Sequence, residues 1–137
     1  MTTAREIMSP DVTCVGEKET LTDASRKMVD LDVGSLPICG ADDRLRGMLT
    51  DRDIVTKAVA QGRDPAQVTA GELAQGKLVT IGADDDVADV LDTMAGHQVR
   101  RLPVIDGHRL VGMVALADVA RALPDRPVGD LIDAITR

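Results

Sequence analysis

Two kinds of apolar run alternate along the chain. Val12-Thr13-Cys14-Val15 and Leu78-Val79-Thr80-Ile81 are short, rich in β-branched residues and closed by Gly16 and Gly82, which predicts strands. Each is followed by apolar residues at helical spacing: Leu21, Ala24, Met28 and Leu31 after the first, Val87, Val90, Leu91 and Met94 after the second. Thr20 with Asp23, and Asp86 with Asp89, predict the caps that start these helices. A strand with a central proline comes next, Leu36-Pro37-Ile38 or Leu102-Pro103-Val104. The turn sequences Gly40-Ala41-Asp42-Asp43 and Asp106-Gly107 lead into a third strand, and a last helix begins near Thr50 or Ala115.

The pattern is therefore a repeat. Thr3-Ala4-Arg5-Glu6 matches Thr69-Ala70-Gly71-Glu72, both capping boxes before a short helical turn. Leu45-Arg46-Gly47-Met48 matches Leu110-Val111-Gly112-Met113, and Asp53 matches Asp118. The expected boundaries are residues 3–60 and 69–123 for the repeats, 61–68 for a Gly- and Pro-containing linker, and 124–137 for a C-terminal amphipathic helix capped by Asp125. Each repeat reads turn–β–α–β–β–α. Its first two strands are parallel across a right-handed crossover, and a hairpin adds an antiparallel third. Proline in the middle strand removes a backbone donor and predicts a bulge or irregular pairing. One repeat is small for hiding its own sheet, so the fold class is α/β (α+β), with two pseudo-symmetric β-α-β-β-α repeats packed sheet to sheet.

Composition narrows the function. The 137 residues are 44% hydrophobic, and none is Phe, Trp or Tyr, so the core is aliphatic and no ring is available to stack on a base. The net charge of -7 opposes nucleic acid and anionic membrane. No apolar run reaches the roughly 20 residues that span a bilayer. The opening Met1-Thr2-Thr3-Ala4-Arg5-Glu6 lacks the basic and apolar stretches of a signal peptide, which predicts a cytoplasmic protein, with export by another route left open.

The aliphatic-Pro-aliphatic strand and the segment Gly47-Met48-Leu49-Thr50-Asp51-Arg52-Asp53, each in register with a second copy, resemble the CBS domain, named after cystathionine β-synthase. The resemblance spans nearly the whole chain. It implies a disc-shaped tandem pair with two clefts, a homodimer, an adenosyl ligand such as AMP or ATP bound between the repeats, and a protein partner that receives the signal. It implies no cofactor other than that nucleotide. By the resemblance Thr50 and Asp53 hold phosphate and ribose, Asp118 is a second ribose anchor, and backbone at Thr13 and Leu36 borders the base. Thr50 stands where a strand gives way to a helix, a place that favours an anion. Thr50 and Asp53 also form a capping box that needs no ligand. In the second copy Ala115 replaces the threonine, so a phosphate there needs another donor, Arg100 or Arg101. Adjacent strand residues face opposite ways, so at most one of these arginines enters a given site, and a solvated or acid-paired role accounts for both.

Cys14 and Cys39 fall on neighbouring parallel strands of the first repeat, where Thr80 and Ile105 stand in the second. Strand spacing permits a disulfide if the register aligns; two small buried apolar side chains are the alternative. The only histidines, His97 and His108, match no zinc-ligand spacing, so no metal is expected. The acidic runs Asp42-Asp43 and Asp84-Asp85-Asp86 read as turn and cap residues. No Gly-x-Ser-x-Gly, Walker or Rossmann motif occurs, so no catalytic residue is assigned and an enzyme is not expected. The alternative function is a structural or interaction protein with decayed nucleotide sites, locked by a Cys14–Cys39 bridge.

Overall fold

A computed structural model describes residues 2–74 and 78–122 of the chain. The predicted C-terminal helix over 124–137 and its Asp125 cap lie outside these residues. Two compact units emerge, one from the described parts of residues 1–12 and 79–137 and one from those of 13–78.

The 13–78 unit holds β1 (Val15–Gly16), α2 (Leu21–Leu31), β2 (Ser35–Cys39), β3 (Leu45–Thr50) and α3 (Asp51–Ile54), which continues as a π-helical turn over Val55–Val59. A 3-10 turn, Ala70–Leu73, completes it. The other unit holds α1 (Ala4–Ile7), β4 (Ile81–Gly82), α4 (Val87–His97), β5 (Arg101–Asp106), β6 (Arg109–Ala115) and α5 (Leu116–Ala122). Each sheet has three strands in the order β1-β2-β3 or β4-β5-β6, the first pair parallel and the second antiparallel, as the repeat predicts.

The opening turn of each sequence repeat docks on the other repeat's sheet. Ala4 and Arg5 N–H donate to the carbonyls of Asp85 and Ala83, both at 2.9 Å, and Ser9 bridges Met113. Reciprocally, Ala70 and Gly71 N–H donate to Glu19 and Glu17 carbonyls at 2.8 Å. A Cβ at position 71 would lie 2.7 Å from the Glu17 carbonyl oxygen, so this close approach needs glycine. The stretch read as a linker is tied down as well. Leu21 N–H donates to the Val68 carbonyl at 2.9 Å, and Val68 is buried because its side chain joins the core of this unit.

Each unit buries its own aliphatic set. Val15, Leu21, Ile38 and Leu49 are fully enclosed in one; Val90, Met94, Leu102, Val104 and Val114 in the other. The helical spacing holds for Leu21, Ala24 and Met28, and for Val87, Val90 and Met94. Leu31 departs from it and is 46% exposed, because it is the last helical residue before Asp32 turns left-handed at φ 54°. Gln98 ends α4 the same way at φ 53°. The prolines pair within their ladders, Pro37 with Met48 and Pro103 with Met113; the register shifts come one step later, at Ile38/Cys39 and Val104/Ile105. Arg46 and Val111 are the extra residues that these bulges leave unpaired. Among the described residues no helix is long and apolar enough to cross a membrane.

Candidate functional site

The junction from β3 to α3 is built by Thr50 and Asp53. Asp53 N–H donates to Thr50 Oγ1 at 3.0 Å, and Thr50 N–H donates to Asp53 Oδ2 at 3.1 Å. The box exists because Thr50 has extended backbone, φ -112° and ψ 158°, while the next residue is helical. Cross-strand register sets Ser35 opposite Thr50, and Asp51 N–H donates to the Gly34 carbonyl at 2.9 Å. The second oxygen of Asp53 is 3.3 Å from Lys57 Nζ, and the Asp53 side chain is 25% exposed. One carboxylate oxygen thus fixes backbone, while the other faces the half-exposed Lys57 ammonium.

The other unit repeats this geometry without the threonine. Ala115 N–H donates to Asp118 Oδ2 at 2.8 Å, Arg121 pairs with Asp118 Oδ1, and Leu116 N–H donates to the Arg100 carbonyl at 2.8 Å. Asp118 is buried and Arg121 largely exposed. Arg101 lies opposite Ala115 in the sheet; both Arg100 and Arg101 are exposed. Lys57 and Arg121 were missed in the sequence, although a base three or four residues after each aspartate on a helix is a readable signal.

The remaining candidates divide. Leu36 is buried and paired with Leu49 in the β2–β3 ladder. Thr13 is exposed and precedes Cys14. Cys14 and Cys39 form a disulfide, with 5.8 Å between Cα atoms; Cys14 lies immediately before β1 and Cys39 ends β2. His97 and His108 are both exposed, and among the described residues no three His, Cys, Asp or Glu side chains converge.

The acidic groups serve the framework. Glu72 is held below the usual carboxylate range, first by the Thr69 N–H at 2.7 Å and then by the Arg63 guanidinium at 3.0 Å. Asp42 is lowered first by the Arg44 N–H at 3.2 Å, with Arg46 adding charge. The first acidic run thus acts in its turn as expected.

A duplicated β-α-β-β-α unit with an aspartate at each strand-to-helix junction defines a tandem-repeat module. The CBS domain family model matches residues 4–60 and 70–125, and the chain belongs to the CBS domain family. It is 56% identical over 135 residues to Hypoxic response protein 1 of Mycobacterium tuberculosis, covering 98% of this chain and 94% of that one. It is 38% identical over 120 residues to the CBS domain-containing protein YhcV of Bacillus subtilis, covering 88% and 84%. Among solved structures it is similar to Hypoxic Response Protein I with two coordinated zinc ions, with a TM-score of 0.84 and 58% identity over 90% of this chain and all of that one. It is also similar to a CBS domain pair in complex with 5-methylthioadenosine and S-adenosyl-L-methionine, with a TM-score of 0.76 and 26% identity over 89% of this chain and 95% of that one.

Proposed function

We propose that the chain is a non-catalytic regulatory module of the cytoplasm that senses an adenosyl ligand of the AMP or ATP type and signals through a protein partner. The observation that carries this reading is Asp53 at the β3–α3 junction. Its Oδ2 is fixed by the Thr50 N–H, which leaves Oδ1, now beside Lys57, for ribose hydroxyls. Thr50 Oγ1, at the strand-to-helix junction, is the hydroxyl offered to a phosphate. Asp118 is the second ribose anchor, with Arg100 or Arg101 supplying the charge that Ala115 does not. Backbone at Thr13 and Leu36 borders the base. A similar CBS pair in complex with two adenosyl compounds supports this ligand class.

The module works as a homodimer in this reading. Val29, Leu31, Val55 and Val59 are the exposed large hydrophobic residues among those described, all in the 13–78 unit, and a second copy would cover them.

The test is a thermal-shift titration with AMP, ADP, ATP and S-adenosylmethionine. Binding stabilises by RT ln(1 + [L]/Kd), about 2.7 kcal/mol at a hundredfold excess over Kd. A shift seen in the native protein and lost in Thr50→Ala and Asp53→Ala supports the site; an equal shift in the variants removes it.

A second reading is favoured by Ala115 and by the self-satisfied Thr50–Asp53 box. The chain would then be an interaction protein of a stress or hypoxic response whose nucleotide sites have decayed. Its signature is the absence of a shift with all four compounds together with retained dimerisation.

A further inference from the structure

The Cys14–Cys39 bridge stands on a framework that the other unit builds without one. In the 13–78 unit β1 and β2 pair through Val15 with Ile38 and Gly16 with Cys39, and Glu17 N–H then donates to the Cys39 carbonyl at 3.0 Å. In the other unit β4 and β5 pair through Ile81 with Val104 and Gly82 with Ile105, and Ala83 N–H donates to the Ile105 carbonyl at 2.8 Å. The positions equivalent to the cysteines hold Thr80 and Ile105. The same parallel pair therefore forms with no covalent link, and closing the sheet does not account for the bridge.

What the bridge adds is a clamp on the segment before β1. Residues 10–14 belong to no helix or strand, and the chain passes from one compact unit to the other between Val12 and Thr13. The bridge fixes this crossing two residues later. At the equivalent crossing, between Leu78 and Val79, Thr80 offers no such tie.

The two ends of the bridge differ in access. Cys39 is 7% exposed and Cys14 is half-buried. Lys27 Nζ donates to the Cys14 carbonyl at 3.1 Å and pairs with Glu19 at 3.0 Å, which brings a cation to the Cys14 end.

We propose that Cys14–Cys39 is a reversible thiol–disulfide exchange site for a dithiol reductant, whose opening leaves the sheet folded and releases the crossing segment 10–14. A thiolate of the reductant attacks Cys14 Sγ, and a mixed disulfide forms as the S–S bond breaks. Cys39 leaves as a thiolate and takes a proton. The second thiol of the reductant, as its thiolate, then attacks the reductant sulfur of the mixed disulfide. That step expels Cys14 as a thiolate, which is protonated, and yields the oxidised reductant. Two electrons and two protons reach the protein, and the reverse sequence closes the bridge. The inference does not depend on nucleotide binding.

The experiment equilibrates the full chain in mixtures of reduced and oxidised dithiothreitol, traps thiols with a maleimide and counts labels by intact mass. Helix content by circular dichroism and hydrogen exchange are followed in parallel. The expected result is no label without reductant, two labels with it, and return to none when oxidant is restored, with helix content unchanged. Amide protection at Val12, whose N–H donates to the Pro10 carbonyl at 3.1 Å, should fall at least tenfold, while that at Glu17 and Ala83 holds. The variant Cys14→Thr with Cys39→Ile, the residues of the other repeat, should reproduce the reduced state without reductant. If it fails to fold, the reduced native chain decides. Two labels in the untreated protein, loss of helix on reduction, or unchanged exchange over residues 11–14 would each overturn the proposal.

Discussion

Asp53 and Asp118 occupy equivalent places, and their surroundings set different consequences for losing them. Asp118 is 9% exposed and holds the Ala115 N–H, so Asp118→Ala strands a donor away from water. That should cost about 1–3 kcal/mol in chemical denaturation. Thr50→Ala removes a helix cap and should cost about 1 kcal/mol. Their ion pairs matter less, because Lys57 and Arg121 are half exposed or more and such pairs contribute about 0–1 kcal/mol. Glu72 carries a pH signature. Its folded-state pKa lies below the unfolded value, so its contribution is complete above the ordinary carboxylate pKa and is lost as the pH falls through the folded one. Acid titration of stability should show a shallower acid limb in Glu72→Gln than in the native chain. An unchanged limb would remove the Thr69 and Arg63 contacts as its cause.

At the scale of elements, the disulfide spans a sequence separation of 25 and encloses α2. Loop-closure entropy for such a span is about 3.5 kcal/mol, so reduction should lower the denaturation midpoint markedly without abolishing the transition. The sheet cores set a comparable scale: Leu49→Ala, in a fully enclosed position, should cost about 2–5 kcal/mol. Elements were the most readable level of the sequence. Alternation and the caps at Thr20 and Asp86 are local signals, and among the described residues they place both long helices and the strands β2, β3, β5 and β6; β1 and β4 hold only Val15–Gly16 and Ile81–Gly82, so residues 12–14 and 78–80 stay outside the strands and the glycines lie within them. The cysteine pair was readable only as two alternatives, because strand assignment limits distance but not register. The bulges expected from Pro37 and Pro103 fall in their strands but one step past them, and each proline keeps its own place in the register. The docking of α1 beside β4 was unreadable. Thr3-Ala4-Arg5-Glu6 specifies a capped turn but says nothing about which sheet receives it.

The whole molecule is a duplicated CBS unit in which only one copy keeps the threonine at the strand-to-helix junction. Duplication made the fold legible, since every element is stated twice. The same duplication shows where the copies part, at Thr50 against Ala115 and at Cys14 and Cys39 against Thr80 and Ile105. Self-association belongs to this scale. Sedimentation equilibrium should give a dimer for the native chain and a monomer for Val29→Glu with Val55→Glu; a monomeric native chain would remove the dimer from the account. The central claim is the adenosyl ligand, and calorimetric titration of the native chain and of Asp53→Ala with AMP, ADP, ATP and S-adenosylmethionine tests it most directly. The account predicts saturable heat for at least one compound and affinity at least tenfold weaker in Asp53→Ala, as expected for a hydrogen bond to a charged group. No saturable heat with any of the four would contradict it and leave the interaction protein as the function.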